Sequence, residues 1–290
     1  SAMHAGLVGR MLIESLAGIP VTVDLASEYR YAPPVTVGHT LAVPVSQSGE
    51  TSDTLQALRL ARKNGLSSLG VINVVGSAIA RESDAVMYTG AGPEIAVATT
   101  KGYASQVTVL AMLAVKLGYL RGRIGAERAS ELCHSLADVL PANIAEIISR
   151  RPEIAELAKK IYSHDDLFYI GRGPDCAAAP ECSLKLKEIS YIHSEAYAAG
   201  ELKHGTLSLV TEGTPVIALA TDPKYYDKMT GNIREVKSRG GYVILVAAPD
   251  FPSPDEYADD VFVLPAVDPT LSPLESAVFS QLLAYQAALP

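Results

Sequence analysis

The residues Ser46-Gln47-Ser48-Gly49-Glu50-Thr51 follow the apolar run Leu41-Ala42-Val43-Pro44-Val45 and lead into TSDTLQALRLARKNG, residues 51–65. A strand that ends in small and hydroxylated residues and then turns into a helix is the local pattern of a parallel sheet. In such sheets ligands collect beyond the carboxyl ends of the strands, where the next helix presents free N–H groups and its positive dipole end. Ser and Thr hydroxyls can donate to phosphate oxygens, Gly49 permits close backbone approach, and Ser52 or Asp53 can cap the helix. The loop therefore reads as a neutral phosphate cup, suited to the single phosphate of a sugar. It is neither GxxxxGK[ST] nor GxGxxG, so it does not point to a nucleoside triphosphate or a dinucleotide. On spacing alone, an ordinary strand-to-helix turn with serine caps stays open.

Outward from the cup, β-rich runs alternate with helical patterns, which predicts an α/β fold with parallel strands. Strands are expected at Pro20–Asp24, His39–Val45, Ser68–Asn73, Ala85–Tyr88, Asp166–Ile170, Pro215–Ala220, Tyr242–Ala247 and Asp260–Leu264. Helices are expected at 2–17, 51–64, 97–118, 174–191, 224–238 and 273–288. The stretch from Ile124 to Tyr162, interrupted by Pro141 and Pro152, is helical without a strand and reads as a connector. The expected organisation is a first α/β subdomain over 1–122, a helical connector over 123–163 and a second subdomain over 164–290. The halves are weakly similar in order: Ser27-Glu28 answers Ser194-Glu195, and Ser46 answers Thr221. The first half begins at Ser1 where the second has Gly173, so the chain reads as a piece of a longer protein.

The chain has 290 residues, 48% of them apolar, enough for a substantial core in about two domains. Its 24 basic and 32 acidic residues leave a net charge of -8, which argues against nucleic acid or an anionic membrane as the main partner. No run reads as a bilayer span and no signal peptide is visible. The three cysteines, Cys133, Cys176 and Cys182, lack CxxC spacing, which fits a reducing, cytoplasmic setting and packing roles. No metal or cofactor is called for.

A second informative stretch is ECSLKLKEISYIHSEAYAAGELKHG, residues 181–205. On a helix Glu181, Lys185 and Glu188 share one face, so two carboxylates flank one ammonium. A solvated salt-bridge stripe would look the same; facing a cleft, such a carboxylate can act as a general base. His204 is the candidate for proton transfer, since Glu201 and Lys203 can tune it and Gly205 leaves it accessible. The other histidines, His39, His134, His164 and His193, read as structural, and His4 as lying near a site mouth.

SQSGETSDTL (46–55), Ile72-Asn73-Val74-Val75-Gly76-Ser77, AGPEIAVATTK (91–101) and LKLKEISYIHSEAYAAGELKHG (184–205) together resemble the sugar-isomerase (SIS) half of the glutamine:fructose-6-phosphate aminotransferases, over nearly the whole chain. The resemblance implies two SIS subdomains, each a flavodoxin-like doubly wound parallel sheet flanked by helices, and a homodimer with its active sites near the subunit interface. It implies fructose 6-phosphate and glucosamine 6-phosphate as substrate and product. The phosphate-binding positions would be Ser46, Gln47, Ser48 and Thr51, and the sugar-contacting segment Val97, Ala98 and Thr99. Glu188 would shuttle a proton between C1 and C2 with Lys185 beside it, and His204 of a neighbouring copy would open the sugar ring.

Three departures from the family pattern are visible. The sequence has no N-terminal Cys nucleophile or glutaminase domain. The family's Cys-Gly-Thr-Ser phosphate segment is represented at most by Ser1. The family's C-terminal lysine is absent before Ala287-Ala288-Leu289-Pro290. Isomerisation is the expected activity of this stretch, and aminotransfer by it alone is doubtful. Two alternatives from other classes are a stand-alone amino-sugar-phosphate deaminase and a non-catalytic sugar-phosphate sensor; retention of Glu188, Lys185 and His204 together argues against the sensor.

Overall fold

The fold was obtained as a computed structural model, which describes residues 1–36 and 38–289; Pro290, the last residue of the expected second subdomain, lies outside them. The chain divides into two compact units, Ser1–Ala129 and Ser130–Pro290.

The first unit starts with α1 (Ala2–Ala17), whose buried Ala5, Val8, Leu12, Ile13 and Leu16 recur at helical spacing. It stops at Gly18, which takes φ 62° and returns its N–H to Glu14 O at 3.1 Å, a left-handed cap that suits glycine. Residues 20–24 do not form the expected strand. Pro20 has no donor, and the Val21 N–H is taken by the Glu14 carboxylate at 3.0 Å instead of a neighbouring strand. The short α2 (Ala26–Tyr29) contains Ser27-Glu28, so this pair sits in a helix. The expected strand His39–Val45 is split into β1 (Leu41–Ala42) and β2 (Val45–Ser46) by Val43-Pro44, because proline cannot donate to the ladder. Both pieces pair in parallel with β3 (Ser67–Ile72), at Ser67 and Ser68 and at Val71 and Ile72 respectively. Between them runs α3 (Ser52–Lys63). After α4 (Ala78–Glu82), β4 (Ala85–Tyr88) adds to the other edge of β3, again in parallel.

The unit closes with α5 (Lys101–Leu120), which packs on α1. Gly9 allows this approach: a Cβ there would stand 2.8 Å from Leu110 Cδ1. Contrary to the reading that no run is long and apolar enough to span a bilayer, α5 qualifies by length and composition, with a mean hydropathy of 1.3. Its apolar residues Tyr103, Val107, Leu110, Ala114 and Val115 are buried in the unit, which accounts for that composition as a core helix.

Across the start of the second unit the helical stretch changes at each proline. α6 (Ala126–His134) runs through one π-helical turn, Ser135–Val139, straight into α7 (Leu140–Ser149), with Pro141 directly after that turn; the chain leaves the helix at Arg150, and Pro152 sits in the first turn of α8 (Arg151–Ile161), where no donor is lost. Then follow β5 (Asp166–Gly171), α9 (Pro174–Ser190), β6 (His193–Ala198), β7 (Pro215–Ala220), α10 (Tyr226–Ser238), β8 (Tyr242–Ala247), β9 (Asp260–Val263) and α11 (Ser272–Ala287). The sheet is all parallel in the order β6-β5-β7-β8-β9, second, first, third, fourth, fifth. That is the flavodoxin-like winding.

β6 was not expected. His193-Ser194-Glu195-Ala196-Tyr197-Ala198 is polar because it is an edge strand in which Ser194 is the only fully buried residue. The Ser-Glu pair here lies in a strand, unlike its supposed counterpart in α2, whereas Ser46 and Thr221 both stand at strand ends. Buried residues alternate across the sheet: Leu167, Tyr169, Ile217, Leu219, Ile244 and Val246 face one cluster, and Phe168, Ile170, Val216, Ala218, Val243 and Leu245 face the other. Helices cover both sides, and the Phe262–Phe279 ring pair, centroids 4.8 Å apart, joins sheet to α11 at about 1 kcal/mol beyond its area burial.

Candidate functional site

In the first unit the cup forms where β2 gives way to α3. Ser46 is buried, and its Oγ accepts the Gly49 N–H at 3.0 Å. Ser48 Oγ accepts the Glu50 N–H at 3.2 Å, while Thr51 is exposed at the N-cap of α3 and makes no side-chain cap bond. Gly49 is required twice over. Its φ is 67°, and a Cβ would lie 2.0 Å from Ser77 Oγ. The loop is also tied to its neighbour, since the Ile79 N–H donates to Gly49 O at 2.9 Å and the Ala78 N–H to Glu50 Oε1 at 2.8 Å. Asp53, in the first turn of α3, is paired with Arg30, which offsets a negative charge close to the positive dipole end of the helix.

The segment expected to contact sugar follows β4. Val97 is 97% exposed, and the helix starts at Lys101 instead of residue 97 because Glu94, outside the helix, accepts the Gly102 N–H at 2.8 Å. A Cβ on Gly102 would meet Thr99 Cγ2 at 2.8 Å, Glu94 Oε2 at 3.0 Å and Gln47 Cγ at 3.5 Å. One glycine thus marks where the Gln47 loop and the Thr99 segment converge. Ser1 stands at the N-cap position of α1 without a side-chain cap bond, and that helix also touches β2. Sequence reasoning passed over Gly102, Ser77 and Glu50. A glycine in the first turn of a long apolar helix, at a cost near 1 kcal/mol, was the available signal for the first.

In the second unit α9 carries Glu181, Lys185 and Glu188 on one face. Lys185 Nζ lies 3.4 Å from Glu181 Oε1 and 2.5 Å from Glu188 Oε2. Glu181 and Lys185 are buried, while the Glu188 side chain is 33% exposed. The cluster therefore has a sealed end and an open end, and only Glu188 can meet a ligand. A buried pair of this kind is held by mutual compensation, since removing one partner strands the other charge. His204 ends the 3₁₀ turn Ala199–His204 after β6, is exposed, and has no hydrogen-bond or ion-pair partner among the described residues. Lys203 instead pairs with Glu235 at 2.6 Å, and Arg172 donates to Asn232 Oδ1 at 3.0 Å, so neither is a spare cation.

Around α9, Asp175 is buried and accepts the Thr221 N–H at 2.8 Å on Oδ2. Thr221 Oγ1 lies 2.6 Å from Asp175 Oδ1 and 2.6 Å from Ser272 Oγ. Burial pushes the Asp175 carboxyl up to about 6 against the pull of the Thr221 bonds. Cys182 is buried among apolar groups and its thiol is pushed up to about 12, which makes it a packing residue; Cys133, expected to pack, is exposed.

Comparison with known proteins adds the family. The SIS domain model matches residues 1–116 and 160–289. The chain is 53% identical over 288 residues to a glutamine–fructose-6-phosphate aminotransferase [isomerizing] of Symbiobacterium thermophilum, covering 99% of this chain and 47% of that protein. It is 47% identical over 289 residues to the protein of the same name from Caldanaerobacter subterraneus, covering 100% of this chain and 47% of that one. The chain thus spans about half the length of the curated relatives it matches. Among solved structures, the C-terminal domain of glucosamine-fructose-6-phosphate aminotransferase from Francisella tularensis superposes with a TM-score of 0.93 at 34% identity, over 99% of this chain and 82% of that one. With a doubly wound parallel sheet in the second unit, a parallel sheet ending in a hydroxyl cup in the first, and a family match on each side of the connecting helices, the chain belongs to the SIS domain family.

Proposed function

We propose that this chain is the sugar-phosphate isomerase part of a glutamine:fructose-6-phosphate aminotransferase, acting on fructose 6-phosphate to form glucosamine 6-phosphate for amino-sugar biosynthesis. The observation that carries the reading is the half-sealed Glu181–Lys185–Glu188 cluster, in a chain similar over 99% of its length to a C-terminal domain named for that reaction. The phosphate sits in the cup at Ser46, Gln47, Ser48 and Thr51, with Ser1 beside it, and the sugar runs along Val97, Ala98 and Thr99. Anchoring the phosphate away from the reacting carbons lets remote binding energy position them.

His204, supplied by the second copy of a homodimer, moves the proton that opens the ring. Ammonia condenses with the C2 carbonyl and water leaves. Glu188 then takes the C1 proton, and the C–H electron pair becomes the C1–C2 double bond of an enolamine as the imine nitrogen gains a proton. Return of the proton to C2, with loss of the O1 hydrogen, leaves the aldose amine. Lys185 holds the Glu188 carboxylate in place throughout. The length of the relatives not spanned by this chain would hold the glutaminase domain that supplies ammonia. The division into residues 1–122, 123–163 and 164–290 and a cytoplasmic location belong to the same proposal.

The test is NMR of the chain in deuterated buffer with fructose 6-phosphate, comparing wild type with Glu188→Gln. Conversion to glucose 6-phosphate, or deuterium entering at C1 or C2, is expected, with a loss of about 10²–10⁴-fold in the variant, the range of a positioned acid–base group. Exchange that persists undiminished in Glu188→Gln would sink the assignment. Release of ammonia from glucosamine 6-phosphate as the dominant reaction would favour the deaminase.

A further inference from the structure

The second unit contains a cavity of about 340 Å³ at the carboxyl ends of β7, β8 and β9, the size of a small-ligand site. Its walls are largely proline and aliphatic, including Pro223, Leu264, Pro265 and Val267, and its polar residues are Thr221, Asp250, Ser272 and Glu275. This place in the fold corresponds to that of the hydroxyl cup in the first unit, yet its chemistry is opposite. No basic residue lines it among the described residues. The hydroxyls are spent internally, Thr221 between Asp175 and Ser272 and Ser272 on Pro269 O at 2.9 Å. The N-terminal turn of α11, which would otherwise attract an anion, already contains the Glu275 carboxylate.

Glu275 has no packing reason to be acidic. It is 0% exposed, accepts one hydrogen bond from Asn143 Nδ2 at 2.7 Å on Oε1, and its Oε2 has no partner among the described residues. Burial, with Glu146 nearby, pushes its carboxyl up to about 7 despite the Asn143 bond. A glutamine would keep the Asn143 contact without that desolvation penalty. A buried group that costs stability and has an orphaned atom is the mark of a site waiting for a partner. Asp250 is exposed at the opposite extreme and accepts from Tyr226 OH at 2.6 Å, which fixes its carboxylate at the mouth.

We propose that this cavity binds a small organic ammonium ion, whose charged nitrogen is drawn in past Asp250 and taken up by Glu275, and whose apolar body lies on the proline and aliphatic wall. The site is separate from the sugar-phosphate cup and does not depend on the function proposed above. The test is an NMR titration of the whole chain with n-butylammonium chloride, set against sodium butyrate and n-butanol at matched ionic strength. Saturable shifts confined to the cavity residues are expected with the ammonium alone. Asp250→Asn and Glu275→Gln should each weaken it about tenfold, the value of one charge-assisted bond. Val267→Phe, which fills the cavity and leaves both carboxylates, should abolish it while the remaining resonances stay in place. Equal response to butyrate or butanol, absence of saturable shifts, or undiminished affinity in both Asp250→Asn and Val267→Phe would overturn the proposal, even if Glu275→Gln does not fold.

Discussion

The two units put opposite electrostatics at the same place in related sheets. In the first, the strand end at Ser46 opens into hydroxyls and the start of α3, with Ser1 opening the unit's first helix. In the second, the strand end at Thr221 is already occupied: Asp175, from the first turn of α9, lies on its amide and hydroxyl. A carboxylate fastened inside the protein fills the position that, in the function proposed above, the first unit offers to an external phosphate. Duplicated architecture therefore does not imply duplicated chemistry; at the second strand end one buried acid makes a structural joint where the first has hydroxyls.

The largest effect that would break this comparison lies on α9. Lys185→Met should cost about 3–5 kcal/mol in chemical denaturation, because Glu181 is left buried without its counter-charge, and Glu181→Gln combined with Lys185→Met should recover part of that loss. Equal stability of wild type and Lys185→Met would mean that the cluster is a solvated stripe after all. In the cup, Gly49→Ala should raise the KM for fructose 6-phosphate by at least tenfold. Its Cβ cannot coexist with Ser77, and the backbone must leave the left-handed region. Ser48→Ala, read in the same assay, should raise KM by roughly tenfold with little change in kcat, since it removes one hydrogen bond to a charged group. A fall in kcat alone would instead place Ser48 with the chemistry.

A pH-dependent effect tests the buried acid at the second strand end. Asp175 is protonated more readily in the folded chain than in the unfolded one, so its contribution to stability is complete below about pH 4 and is lost as pH rises through about 6. Asp175→Asn removes that dependence. Thermal melts should show the variant gaining on wild type between pH 4 and 7, by at most about 3 kcal/mol. A constant difference across that window would show that the joint does not titrate.

What could be read in advance follows the same physics. Strands β7 and β8 were visible because both faces are buried, which forces near-continuous apolar runs. β6 was not, because an edge strand with a half-exposed surface can be built from His, Ser, Glu and Tyr, and its ladder uses only backbone groups. Residues 20–24 looked like a strand by composition, but a glutamate on the preceding helix claimed the Val21 amide. The face shared by Glu181, Lys185 and Glu188 needed only helical spacing. Its depth of burial could not be read that way, since spacing is identical for a solvated stripe and a sealed one.

By itself the sequence determined the α/β class, the place of the hydroxyl cup after a buried strand and the carboxylate–ammonium–carboxylate face of α9. All three follow from short-range periodicity and loop chemistry. Only the tertiary structure decided that Gly102 brings Gln47 and Thr99 together, that Asp175 fills the second strand end, and that Glu275 is buried beside an acidic cavity. Those relations join residues far apart in the chain, and their energies come from burial and charge compensation, which a linear pattern does not carry.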